Sequence, residues 1–250
     1  MRTDIKTSII TLTKPIFPFV PPTRNFPDSP STPILPKLGI YLTSLQRTNP
    51  HLLHPQILIC IYDLADLVRY AERCRSKDPQ VLEEPSSKSE FFDNQNLYIE
   101  YRLLCFPYDH ADILTIQISN PLQECIRLAL LLFINTALWH GWPPSSAIIR
   151  SPLTALWRAL ESTNLQLFWR MSSDVLLWIL FIGANSSLGQ IERPWFVELL
   201  RQGKVALGLP DEWEGVERRL QGCLYLERVY GEAFRGIWDE VRAAERAGSI

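Results

Sequence analysis

Hydrophobic positions recur along most of the chain at helical spacing, and twice they close into unbroken runs. Residues 128–134 (LALLLFI) are seven apolar residues in a row, and residues 175–182 (VLLWILFI) are eight. An uninterrupted run covers every direction around a helix, so each predicts a helix buried on all sides. Punctuation around the first run agrees. Asn120 suits an N-cap, and Pro121 suits the first helical position, where its missing N–H costs nothing. Gly141 fits a left-handed C-terminal residue, and Pro143-Pro144 forbids continuation. These signals predict one central helix of about 18–20 residues, around which the rest must pack.

The remaining pattern is amphipathic. Ile57, Ile61, Leu64, Val68 and Ala71 repeat at helical spacing after Pro55. Residues 91–106 predict a helix with Leu97, Tyr101, Leu104 and Cys105 inward. Ser151 and Pro152 predict the start of another, carrying Leu153, Leu156, Trp157 and Leu160. A short helix over 164–171 should turn Leu167 and Phe168 inward. Ser173 or Asp174 then caps the second buried run, in which Gly183 and Ala184 allow a neighbour close and which Gly189 closes. Pro194 opens a helix whose inner face is Trp195, Phe196, Leu199 and Leu200. Asp211 caps the next, with Trp213, Val216, Leu220, Cys223 and Leu224 inward. Tyr230, Phe234, Ile237, Trp238 and Val241 carry the period into the last turns. Residues 108–119 stand apart, because Leu114, Ile116 and Ile118 alternate with polar residues. A lone strand has no sheet to join, so a short extended or irregular segment is expected there. The pattern as a whole predicts an all-α fold, an irregular multi-helix bundle of about 8–10 helices around a buried central helix.

Residues 1–50 read differently. Ten of the nineteen prolines fall between positions 15 and 55, and proline removes donors and keeps its predecessor extended. A proline-rich, partly disordered arm is expected over 1–50, with a short helix near 36–47, followed by a helical domain over 51–250. The arm reads as a solvated linker or, alternatively, as a docking peptide for an aromatic groove.

Composition narrows the chemistry. Twenty-five Lys+Arg against 27 Asp+Glu give a net charge of −2, and 46% of residues are hydrophobic. No basic run marks a nucleic-acid surface. No strictly apolar run approaches the ~20 residues of a bilayer span, and no signal peptide is visible. A soluble intracellular protein is expected, with no membrane association. Cys60, Cys74, Cys105, Cys125 and Cys223 are odd in number and widely spaced, which suits buried free thiols and not a zinc site.

No phosphate loop, dinucleotide fingerprint, nucleophile elbow or zinc-protease motif is present. The expectation is therefore no enzyme, no catalytic residue, no metal ligand and no cofactor. Asp109, His110 and Asp112 fit a polar turn better than a carboxylate–histidine site. His51 and His54 lack a third ligand. Arg127 sits between apolar neighbours on the central helix and should pair with Glu124, Asp174 or Glu192, the alternative being an arginine that snorkels to the surface. Trp139, Trp178 and Trp195 lie on helices expected to meet at one core. With Arg127 they are candidates for an apolar ligand pocket, or for plain structural core.

The segments ECIRLALLLFINTALW, PPSSAI and LLWILFIGANSSLGQIERPWFVELL resemble the C-terminal half of the fungal-specific transcription factor regulatory domain. That domain belongs to fungal zinc binuclear cluster transcription factors. HLLHPQILICIYDLADLVRYAE is similar to its first helices, and the resemblance covers about residues 50–245. It implies an all-helical regulatory domain, a role in transcription regulation and a nuclear location. The six closely spaced cysteines of the zinc cluster are absent from this sequence, so zinc and DNA reading carry over to no residue here. An isolated regulatory domain, a truncated gene model and a diverged protein all fit. Protein partners or self-association are expected, with a small apolar ligand as a further option and no direct nucleic-acid binding. The alternatives are a helical protein-interaction or dimerisation scaffold and, behind it, an enzyme of unknown class.

Overall fold

Ten α-helices and one π-turn build the described part of the chain, which in this computed structural model is residues 1–22, 35, 37–48, 52–82, 86–108, 121–139 and 142–247. No strand or sheet occurs among these residues, so the fold is all-α as the periodicity predicts. The helices are α1 (Arg2–Thr11), α2 (Ile40–Thr48), α3 (Pro55–Lys77), α4 (Ser87–Cys105) and α5 (Pro121–Phe133). The π-turn (Ile134–Leu138) continues α5. Then come α6 (Ala147–Glu161), α7 (Leu165–Ser186), α8 (Arg193–Leu207), α9 (Trp213–Leu220) and α10 (Glu227–Ala247).

The two unbroken apolar runs form the centre. Residues 128–134 of α5 and the π-turn, and residues 175–182 of α7, are all fully buried. These helices pack on each other; α6 covers both, while α8, α9, α10 and α2 cover α7. By length and composition alone, Pro121–Leu138 and Leu165–Ser186 could each cross a membrane, yet most of each is enclosed by the surrounding helices. Gly183 permits one close approach: a Cβ there would lie 2.2 Å from the Phe196 ring of α8. Phe196 and Leu200 are buried on the inner face of α8, and Tyr230, Phe234, Ile237, Trp238 and Val241 on that of α10.

Several expectations are corrected locally. The arm does not begin extended, because Arg2–Thr11 is a helix packed on α6 and α4, with Ile5 and Ile9 fully buried. Helix α6 starts at Ala147, four residues before Ser151, so Pro152 lies inside it and withholds one backbone donor. The helices expected on either side of residue 172 form α7 with a break at Ser172 (φ −161°, ψ 75°). Leu167 points outward and is 53% exposed, while Phe168 is buried. Glu212, not Asp211, precedes α9 as its N-cap. Asn120, Gly141 and most of residues 108–119 lie outside the described residues.

Candidate functional site

The most concentrated buried polar chemistry lies where α1, α4 and the π-turn meet. Helix α5 widens at its end, and the Trp139 N–H donates to the carbonyl of Ile134, five residues back, at 3.0 Å. Side chains hold the widened turn. Thr136 Oγ1 donates to the Leu132 carbonyl at 2.8 Å, and Asn135 Nδ2 donates to the Leu131 carbonyl at 2.9 Å. Asn135 Nδ2 also donates to Glu100 Oε1 at 2.8 Å. From α1, Lys6 Nζ reaches Glu100 Oε1 at 2.6 Å, Glu100 Oε2 at 2.8 Å and Asn135 Oδ1 at 2.9 Å. The Lys6 ammonium and the Arg2 guanidinium each lie 4.5 Å from the Trp139 ring centre, in cation–π geometry.

Burial dominates the electrostatics here. It pushes the Glu100 carboxyl above its usual range, against the pull of Lys6, Asn135 and Trp139. It pushes the Lys6 amine down, against the pull of Glu100. Burial likewise raises Asp93, which faces Arg2 at 3.9 Å at the rim. Each charge is thus costly alone and tolerable only beside the other. Both oxygens of Glu100 and the amine of Lys6 are committed to internal partners, so the arrangement fixes α1 onto α4 and the π-turn and offers no free base. One turn before Glu100, Asn96 is fully buried, and among the described residues neither its oxygen nor its nitrogen finds a hydrogen-bond partner.

The residues singled out from sequence lie apart from one another. Arg127 pairs with Glu124 as one of its three expected partners, through Nε at 2.7 Å and Nη2 at 2.6 Å. Its Nη1 donates to the Leu103 carbonyl at 3.0 Å. Asp174 instead accepts from Arg219 at 2.6 Å. Trp178 is fully buried, stands 6.4 Å from Phe133 and donates its indole N–H to the Leu224 carbonyl at 2.8 Å. Trp195 is half-buried and meets Trp157 edge-on at 6.4 Å. Trp139 alone joins the α1 cluster. Lys6, Glu100 and Asn135 were not legible as a set, since Lys6 and Glu100 are 94 residues apart and share no motif.

Among the described residues, no three His, Cys, Asp or Glu side chains come together as a metal site. His54 caps α3, its Nδ1 accepting from the Gln56 N–H at 3.2 Å. Asp109, His110, Asp112 and His51 lie outside the described residues. All five cysteines are free thiols, four buried and Cys105 half-buried.

Fold and cluster together define a helical domain whose buried charges bind its own elements to one another. The sequence pattern of the fungal specific transcription factor domain matches residues 4–208, from within α1 to the residue that ends α8. The chain belongs to that family, and the family places it in transcription regulation. Among curated proteins and among solved structures nothing matches it.

Proposed function

We propose that these residues form the regulatory and interaction domain of a nuclear transcription regulator, and that they act by holding protein partners or a second copy, not by catalysis or by reading DNA. The family match over residues 4–208 carries this reading. Charge supports it, since a net charge of −2 gives no electrostatic drive toward phosphate backbones. No cofactor and no membrane enter the proposal.

A scaffold is favoured over a sensor of small apolar ligands by one observation. The indole N–H of Trp178 is occupied by Leu224 at 2.8 Å, so its polar handle serves the fold. Two measurements test the proposal. The purified chain should not bind random duplex DNA at moderate salt. Tethered to a foreign DNA-binding module in a fungal host, it should change reporter transcription and accumulate in the nucleus. Duplex binding, or a folded tethered protein that leaves the reporter unchanged, overturns it.

A further inference from the structure

Just after α1 the chain reads PIFPFVPP over residues 15–22. It is pinned at two points. The Asp4 carboxylate accepts from the Ile16 N–H at 3.3 Å and the Phe17 N–H at 3.1 Å, where the chain bends. Two residues on, Phe19 is buried, its ring 5.5 Å from Tyr98 and 5.8 Å from Tyr101 of α4. The side chains around these anchors face water: Phe17 is 59% exposed and Val20 80%, and Pro18 and Pro21 are exposed as well. A fixed apolar strip held outward marks an interaction surface better than a stray exposed residue does.

The covalent structure of the strip limits what can cover it. Pro18, Pro21 and Pro22 have no N–H, so the strip can complete neither a sheet edge nor a helix. Each proline fixes its own φ and keeps its predecessor extended. From Phe17 to Pro22, only Phe19 escapes both constraints, and its ring is anchored. A polyproline II strand repeats every three residues. On that repeat Phe17 and Val20 share one edge, Pro18 and Pro21 the next, and Phe19 lies on the third. The anchored edge is therefore the one a groove would not need. Two apolar–proline pairs, Phe17-Pro18 and Val20-Pro21, stand outward one turn apart, with their ordering entropy already reduced by the fold. Aromatic-lined grooves receive this shape.

We propose that residues 17–22 are a docking strip for a proline-reading domain, a partner with an aromatic-lined groove of the SH3, WW or EVH1 kind. The inference stands on the strip itself and does not require the role in transcription. It is tested by titrating the full chain against a panel of purified SH3, WW and EVH1 domains. At least one should bind one-to-one and saturably. Pro18→Ala/Pro21→Ala and Phe17→Ser/Val20→Ser should each weaken that complex by about tenfold or more, with unchanged circular dichroism and melting. Ile16→Ser, at an apolar side chain that is 82% exposed but lies before the strip at the bend, should leave it within about twofold. The proposal is overturned if no domain of the panel binds, or if binding survives both double variants. It is also overturned if sedimentation shows a dimer of the chain that the double variants make monomeric, because the strip would then serve self-association.

Discussion

At the scale of single residues, the α1 cluster makes the sharpest claim. Removing one member of a buried ion pair leaves the other charge uncompensated, which costs about 3–5 kcal/mol, whereas replacing both with neutral groups is often nearly neutral. Lys6→Met and Glu100→Gln should each fall in that range by urea denaturation. The double variant should cost far less than their sum, because the amide that replaces the carboxylate keeps an oxygen for Asn135. Additive single effects would sink the assignment. The pH dependence carries a sign. Burial holds the Glu100 carboxyl above 4.5, so between 4.5 and its folded value the native state binds more protons than the unfolded chain. Stability from this group is then lost as pH rises through that window. Lys6, held below 10.5, acts oppositely, and only at pH values near and above its lowered folded value. The stability of the natural chain relative to the double variant should therefore decline as pH is raised from 4.5 through the raised folded value of Glu100. A second residue-scale claim concerns Gly183. An added methyl would meet the Phe196 ring at 2.2 Å, so Gly183→Ala should lower stability by about 1–3 kcal/mol in the same assay, through overpacking.

At the scale of elements, what could be read from sequence divides along a physical line. Helices α3, α5, α7, α8 and α10 were legible because each carries its own apolar stripe or run, whichever neighbours it meets. Pro55 and Pro194 marked starts correctly, since proline fits a first turn wherever that turn packs. Ser172 breaks α7 where a helix end was expected. Helix α1 was illegible because only Ile5 and Ile9 mark its inner face. Ten residues are also too few to hold a helix in water alone, so it relies on packing against α6 and α4 and on Lys6 meeting Glu100 and Asn135. The π-turn was illegible for the same reason, since neither proline nor glycine announces it. Of the candidate site, Arg127–Glu124 was legible because partners three apart on a helix are neighbours by geometry. One element-scale prediction follows from the π-turn. Its Thr136 hydroxyl pairs with the buried Tyr230 hydroxyl of α10 at 2.7 Å. Thr136→Val should therefore cost roughly 1–3 kcal/mol by leaving a buried hydroxyl unpaired. Adding Tyr230→Phe should restore part of it. No recovery in the pair would show that the bond does not tie α10 to the turn.

At the scale of the whole molecule, the question is whether the last two helices belong to the same cooperative unit as the rest. The family match ends at residue 208, before α9 and α10 begin. The packing nevertheless joins them to the centre. Phe234 of α10 stacks on Phe181 of α7 at 5.0 Å, and the Leu224 carbonyl between α9 and α10 holds the Trp178 indole at 2.8 Å. One continuous set of buried side chains runs from Ile5 to Val241. The cysteines report on this directly. Cys60 lies in α3, Cys125 in α5 and Cys223 just after α9, all three buried. Burial pushes the Cys60 thiol up to about 11 and the Cys125 thiol up to about 12, and it raises Cys223 well above 9.0. The thiolate is the reactive form, so none of the three should react with a thiol reagent until the protein opens. Half-buried Cys105 should label first in native buffer. Cys60, Cys125 and Cys223 should then label together, at one rate with one denaturant dependence, if α9 and α10 open with the core. Mass spectrometry after timed labelling separates the sites. Labelling of Cys223 well ahead of Cys60 and Cys125, with a shallower denaturant slope, would mean that α9 and α10 detach as a unit of their own. The Trp178–Leu224 and Phe181–Phe234 contacts would then be too weak to couple them to the helices that the family match covers.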